Sequence, residues 1–296
     1  MGEDITFHVY ATLTPAQAAR VTRMDFTMDT ADSNPNKAQS VPLASATKVG
    51  SVYNFAYTGV TPQCMADEIT ATLYWDDGSV LDTITWSVAD YLRTYLDAYP
   101  GEADGLIGAL AVYGDAARTY MDYRADETAL TALIGASCAS AAKPAHAQEK
   151  QQTASAEDGL KILGTRLHYA NVPGVTVRTK VSNGHEGAYI RYRDPNGVTQ
   201  SVALPTGENE QTYLVSLPVT ALNRNYRFEL CESDGTVVQT LIYGVPACAY
   251  GWWDLDTNPS YTALVKALYT YGVQARAYLD LTDGSSGDIG GEADPF

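Results

Sequence analysis

The chain has 296 residues, 45% apolar and 18% charged, which is long enough for two domains with a core each and too apolar for a wholly disordered chain. Asp and Glu total 35 against 19 Lys and Arg, a formal charge of −16; such a surface repels phosphate backbones and anionic headgroups, so nucleic acid is not an expected partner. No run of eighteen apolar residues and no basic segment leading into an apolar stretch is present, so neither a helical membrane span nor a signal peptide is expected within it.

In chain order, Met1-Gly2-Glu3-Asp4 passes directly into the alternating Ile5, Phe7 and Val9. That opening is expected of an excised fragment rather than a natural amino terminus. Met24, Phe26 and Met28 alternate again, 52–57 is strand-like, and 69–74 leads through Trp75-Asp76-Asp77-Gly78 into 80–86. Asp-Gly between alternating apolar runs predicts a hairpin, because the turn needs a positive φ that these residues tolerate. Ser87-Val88-Ala89-Asp90 has the form of a capping box and predicts a helix over 88–97. Pro100-Gly101 breaks it, and Leu106, Ala109, Leu110, Tyr113, Ala117 and Tyr120 then line one face of a second helix. Residues 136–159 contain no Val, Ile, Leu, Met, Phe, Tyr or Trp and read as a flexible linker with almost nothing to bury. Strands follow at 160–169, at Val175 and Val177, and over 188–192, 213–217, 226–230 and 237–243. The tail 282–296, rich in Gly, Ser and Asp, reads as flexible and acidic.

The chain repeats itself. Residues 109–122 return as 267–280 at an offset of 158, with eight of fourteen positions identical, including Tyr113-Gly114 as Tyr271-Gly272 and Ala117-Arg118 as Ala275-Arg276. Asp77-Gly78-Ser79-Val80 returns as Asp234-Gly235-Thr236-Val237 at an offset of 157. The expected fold class is therefore α+β, with two tandem modules, each a small antiparallel β-sandwich followed by an α-helical hairpin. The modules span 1–135 and 160–281, joined by the linker 136–159 and followed by the tail. The first module is expected to lack its first strand, whose counterpart is 160–169.

The order of strands, Asp-Gly hairpin, Ser-Val-x-Asp-Tyr helix and Tyr-Gly-x-x-Ala-Arg-x-Tyr helix resembles a repeated module of long secreted or surface proteins from gut Firmicutes. There the second helix reads Leu-x-x-Tyr-Gly-x-x-Ala-Gln-x-Tyr-Phe. The resemblance covers both copies, the first more closely. It implies an extracellular or cell-surface location beside further domains of a longer parent, and it supplies no catalytic motif.

Chemistry-bearing residues are few. His8, His146, His168 and His185 fall in no nucleophile elbow or metal spacing. The four cysteines, at 64, 138, 231 and 248, include no CxxC pair, so zinc is not expected; pairing of Cys231 with Cys248 is left open. Carboxylate pairs such as Asp76-Asp77 and Asp254-Asp256 read as turn residues rather than a glycosidase dyad. The oxygen-rich 29–34 and 280–284 match no EF-hand loop. No catalytic residue, metal or cofactor is expected.

The remaining signal is aromatic, with 21 Tyr and 4 Trp against 5 Phe. Tyr113, Tyr120, Tyr271, Tyr278, Trp86 and Tyr243 recur in both copies and are expected in the core. Departures from the repeat mark a candidate binding site: Tyr250, Trp252, Trp253 and Asp254, where Pro246 and Gly251 weaken the helix and one tryptophan is expected to face solvent, with Trp75 at the hairpin rim, opposite Cys231 in the second copy, as a further candidate. Such rings stack on sugars or anchor protein interfaces. The expected function is a non-catalytic extracellular binding or spacer module with glycan as first ligand. The alternatives are an adhesin for a host protein such as immunoglobulin, and a purely structural stalk.

Overall fold

Alternation of apolar and polar residues, which sends every second side chain to one face of a strand, builds the first half of the chain. In the computed structural model, residues 5–30, 37–124, 127–152, 159–169, 173–193 and 198–279 are described. The chain falls into two units, Gly2–Cys138 and Ala139–Phe296, and the sheets are antiparallel throughout the described residues.

The first unit contains β1 (Ile5–Thr12), the one-turn α1 (Pro15–Ala18), β2 (Val21–Met28), β3 (Ala38–Pro42), β4 (Thr47–Val49), β5 (Val52–Val60), β6 (Ile69–Trp75) and β7 (Val80–Trp86). They form two sheets, ordered β1-β5-β4 and β3-β2-β6-β7. Inward-facing Met24 and Phe26 of β2, Ile69 and Leu73 of β6, and Phe55 and Tyr57 of β5 share one buried cluster, in which the Phe26 and Tyr57 rings lie 5.4 Å apart. After β7 the predicted capping box forms: Ser87 Oγ accepts the Asp90 amide at 3.0 Å, and the Asp90 carboxylate accepts the Ser87 amide at 3.1 Å. It starts α2 (Val88–Ala98), followed by α3 (Asp104–Met121) and a short α4 (Leu130–Ile134) that the sequence did not suggest. Asp115 of α3 caps α4 by accepting the amides of Leu130 and Thr131 at 2.5 and 3.0 Å.

The second unit contains β8 (Glu149–Gln152), β9 (Leu160–His168), β10 (Gly174–Val181), β11 (Tyr189–Arg193), β12 (Thr199–Ala203), β13 (Gly207–Ser216), β14 (Asn225–Cys231), β15 (Val237–Gly244), α5 (Val245–Trp252) and α6 (Pro259–Tyr278). Its sheets are ordered β13-β10-β9 and β12-β11-β14-β15-β8. Local geometry repeats that of the first unit. The hairpin turns have Gly78 at φ +81° and Gly235 at φ +91°, values a residue with a Cβ rarely adopts. Each closes with matching backbone bonds, Trp75 to Ser79 and Glu232 to Thr236, both 2.9 Å. Those bonds set Trp75 opposite Glu232 in the repeat, one position on from the Cys231 expected from sequence.

The repeated Tyr-Gly has a packing cause. A Cβ on Gly114 would stand 2.5 Å from Met65 Cε, and one on Gly272 would stand 2.6 Å from Leu222 Cβ. In both units the glycine lets the long helix approach the 3₁₀ turn that precedes β6 or β14.

Three expectations differ from the structure. Part of 136–159 is built into the second unit: β8 pairs with β15, Pro144 is buried, and the Ala141 amide donates to Thr270 Oγ1 at 3.0 Å. A strand joins a sheet edge through its backbone, so a polar segment with no apolar side chains can still be ordered. Of the six aromatics assigned to the core, Trp86 and Tyr278 are exposed. Pro246 lies in the first turn of α5, where its missing amide hydrogen costs nothing, so it starts the helix rather than weakening it. All four cysteines are free thiols, and the Cys231–Cys248 bridge is not formed. No described helix is long and apolar enough to cross a membrane.

Candidate functional site

The last turn of α5 and the residues after it gather four of the five sequence-selected side chains. Tyr250 is exposed, Trp252 and Trp253 are half-buried, and Asp254 is exposed. Both tryptophans lean on α6. Trp252 sits edge-on to Tyr261 with centroids 4.8 Å apart, and Trp253 edge-on to Tyr269 at 6.4 Å. The Lys266 ammonium lies 4.9 Å from the Trp253 centroid. One ring inside and one outside is therefore not the arrangement.

The reason is visible at the repeat offset. Trp252 and Trp253 occupy the places of Tyr95 and Leu96 in α2, both of which pack partly against the first unit's core. The departure from the repeat lies beside the rings. Lys143, from the polar segment ahead of β8, binds Asp254 Oδ2 at 2.6 Å and lies 4.6 Å from the Tyr250 ring centroid. Sequence reading missed Lys143, because it is 111 positions from Asp254 in a stretch whose composition suggested no structure.

Trp75 lies in the other unit. It is half-buried, and the Arg20 guanidinium lies 5.1 Å from its centroid while bonding Asp76 and Asp77 at 3.0 and 3.4 Å. Asp77 also accepts the Ser79 amide and hydroxyl, which hold its carboxyl below its usual range. The Asp76-Asp77 pair is therefore occupied with its own turn.

Two features of the first unit were not singled out from sequence. Tyr91 and Tyr95 of α2 and Tyr99, which caps its C-terminus, form a row with centroids 6.3 and 5.0 Å apart and the outer two rings exposed. A buried polar cluster joins distant segments: Tyr123 donates to Asp67 Oδ2 at 2.5 Å, its hydroxyl lies 2.8 Å from Thr30 Oγ1, and Arg124 stands 3.4 Å from Asp67 Oδ1. Thr30 Oγ1 is also 3.6 Å from Cys64 Sγ. Burial pushes both the Asp67 carboxyl and the Cys64 thiol up, so Cys64 lacks the thiolate character that a nucleophile needs.

Among the described residues no group of three or more His, Cys, Asp or Glu side chains is placed to hold a metal. Most of the oxygen-rich 29–34 segment and all of 280–284 lie outside the described residues. No family model matches the chain, and neither a curated protein nor a solved structure does.

Proposed function

We propose that the chain is a tandem of two sandwich-and-hairpin modules serving as a non-catalytic binding or spacer part of an extracellular or surface bacterial protein, with glycan as its ligand. One observation carries the reading: the Tyr250, Trp252, Trp253 and Asp254 cluster, completed by Lys143. Aromatic faces take the apolar face of a sugar ring, and a flanking carboxylate and ammonium bond its hydroxyls. The equal turns at Gly78 and Gly235 and the Phe26–Tyr57 contact between two sheets support the module layout.

A second reading, an adhesin for a host protein, is favoured by the tyrosine row on α2. Such a row offers the flat, rigid aromatic area that protein interfaces use as anchors. Binding of the full chain to immobilised mucin, plant polysaccharides and immunoglobulin separates the readings. Glycan binding should fall by about tenfold in Tyr250→Ala or Lys143→Ala, the loss of roughly one good contact, at an unchanged melting temperature. Binding to immunoglobulin alone, lost in Tyr91→Ala, would favour the adhesin. Binding to none of the three would leave the stalk.

A further inference from the structure

The two units differ most along one side. In the second unit, β9 pairs with β10, and β8 pairs with β15. The buried face of β9 is apolar, with Leu160, Ile162 and Leu167 enclosed. The Ile162 amide donates to Gln239 Oε1 of β15 at 2.7 Å. Together β8 and β9 close the side on which the two sheets end.

Among the described residues, the same side of the first unit is open. The counterparts of β10 and β15 are β1 and β7, and both are edge strands. Register agrees with that correspondence. Phe7, Val9 and Ala11 face Tyr57, Phe55 and Tyr53 of β5, as Val175, Val177 and Thr179 face Val215, Tyr213 and Gln211 of β13. Ala71 faces Ile84 and Leu73 faces Asp82, as Phe228 faces Leu241 and Leu230 faces Gln239.

At these matched positions the burial differs as an absent cover would require. Leu241 is 0% exposed and Tyr243 6%, whereas Ile84 is 46% exposed and Trp86 37%. Val175, Val177 and Thr179 are fully enclosed, while Phe7, Val9 and Ala11 are half-buried. Between the two open edges lies a cleft of about 270 Å³, walled by Val9, Ala11, Leu81 and Ile84 over a floor of Met24 and Leu73. Asp82 lines it too, at the place where Gln239 receives the β9 amide.

We infer that this cleft is a strand-acceptor site, and that its occupant is an extended peptide segment with the pattern of β9. The segment pairs antiparallel with the edge of β1, as β9 does with β10, giving the backbone groups of that edge partners they lack among the described residues. Its apolar residues take the places of Leu167, Ile162 and Leu160, opposite Phe7, Ala11 and Leu13. One of its amides reaches Asp82. Charge favours the same pattern: β9 carries Lys161 and Arg166 and no acid, while acidic residues far outnumber basic ones over 2–138.

The test uses the full chain and a labelled synthetic peptide with the sequence of residues 159–169. Saturable binding is expected, with hydrogen exchange slowed in β1 and β7. Ile84→Lys, at an exposed position that leaves the fold intact, should weaken binding about tenfold or more, as should a peptide with Asp at the places of 160, 162 and 167. Absence of saturable binding would overturn the inference, and so would binding indifferent to Ile84→Lys. Saturable binding without slowed exchange in β1 and β7 would mean that the peptide replaces β9 itself and would equally overturn it. Self-association of the chain through β1 and β7, abolished by Ile84→Lys, would assign the cleft to a second copy instead.

Discussion

At Asp67 burial and charge oppose each other most directly. Its carboxylate accepts the Tyr123 hydroxyl and faces Arg124, yet the loss of water outweighs both and its pKa lies above the usual carboxylate range. An acid whose pKa is raised on folding binds more protons folded than unfolded, so its effect on stability is favourable at low pH. That contribution is lost as pH rises from the usual carboxylate range through the raised value. Asp67→Asn keeps an acceptor for Tyr123 and has no charge to bury. Its stability relative to the parent should therefore increase between about pH 4 and about pH 7, read from urea midpoints of both proteins; a constant difference would contradict the assignment. Sequence could not have shown this cluster, because Asp67 and Tyr123 are 56 positions apart and meet only through the fold. Trp252 and Trp253 teach a related lesson. Their adjacency suggested that one ring must face out, but the end of a short helix allowed both to lean on α6.

Among the elements, the long helix that closes each unit shows most plainly what a repeat can reveal. The Tyr-Gly pair was legible as a repeated pattern, and its reason, close approach to a 3₁₀ turn, was not, since that turn lies about fifty residues away. The two glycines are nonetheless not equivalent. A Cβ at Gly272 would meet backbone, with Asn223 N and Leu222 C both at 2.8 Å. At Gly114 the nearest atoms are the ends of the Met65 and Leu130 side chains, which can move. Gly272→Ala should cost about 1–3 kcal/mol by overpacking. Gly114→Ala should cost much less, because those side-chain ends can give way; the gain of up to about 1 kcal/mol from Ala in a helix is common to both variants. Denaturant midpoints of the two variants check this ordering, and the reverse order would contradict it. The longer strands and helices with their own apolar period were readable from sequence; the short β3, β4 and β12 were not marked, and neither were two further elements, α4 and β8. The first depends on a cap from Asp115 and the second on a sheet edge, and neither leaves a periodic trace.

For the whole molecule, the repeat in the sequence supplies an internal control. A residue that both copies keep, such as the glycine of the hairpin turn, belongs to the fold, while a difference between matched positions marks what one unit has and the other lacks. The greatest such difference is the cover over β10 and β15 against the open β1 and β7. The sequence offered a hint of it, a strand at 160–169 without a counterpart, and withheld its consequence, because burial at Ile84 and Trp86 depends on a neighbour rather than on their own pattern. Hydrogen exchange of the full chain, with no peptide added, tests this asymmetry most directly. Edge amides of β1 and β7 should exchange early while those of β10 and β15 stay protected; equal protection of the two pairs would contradict the assignment of an open side to the first unit.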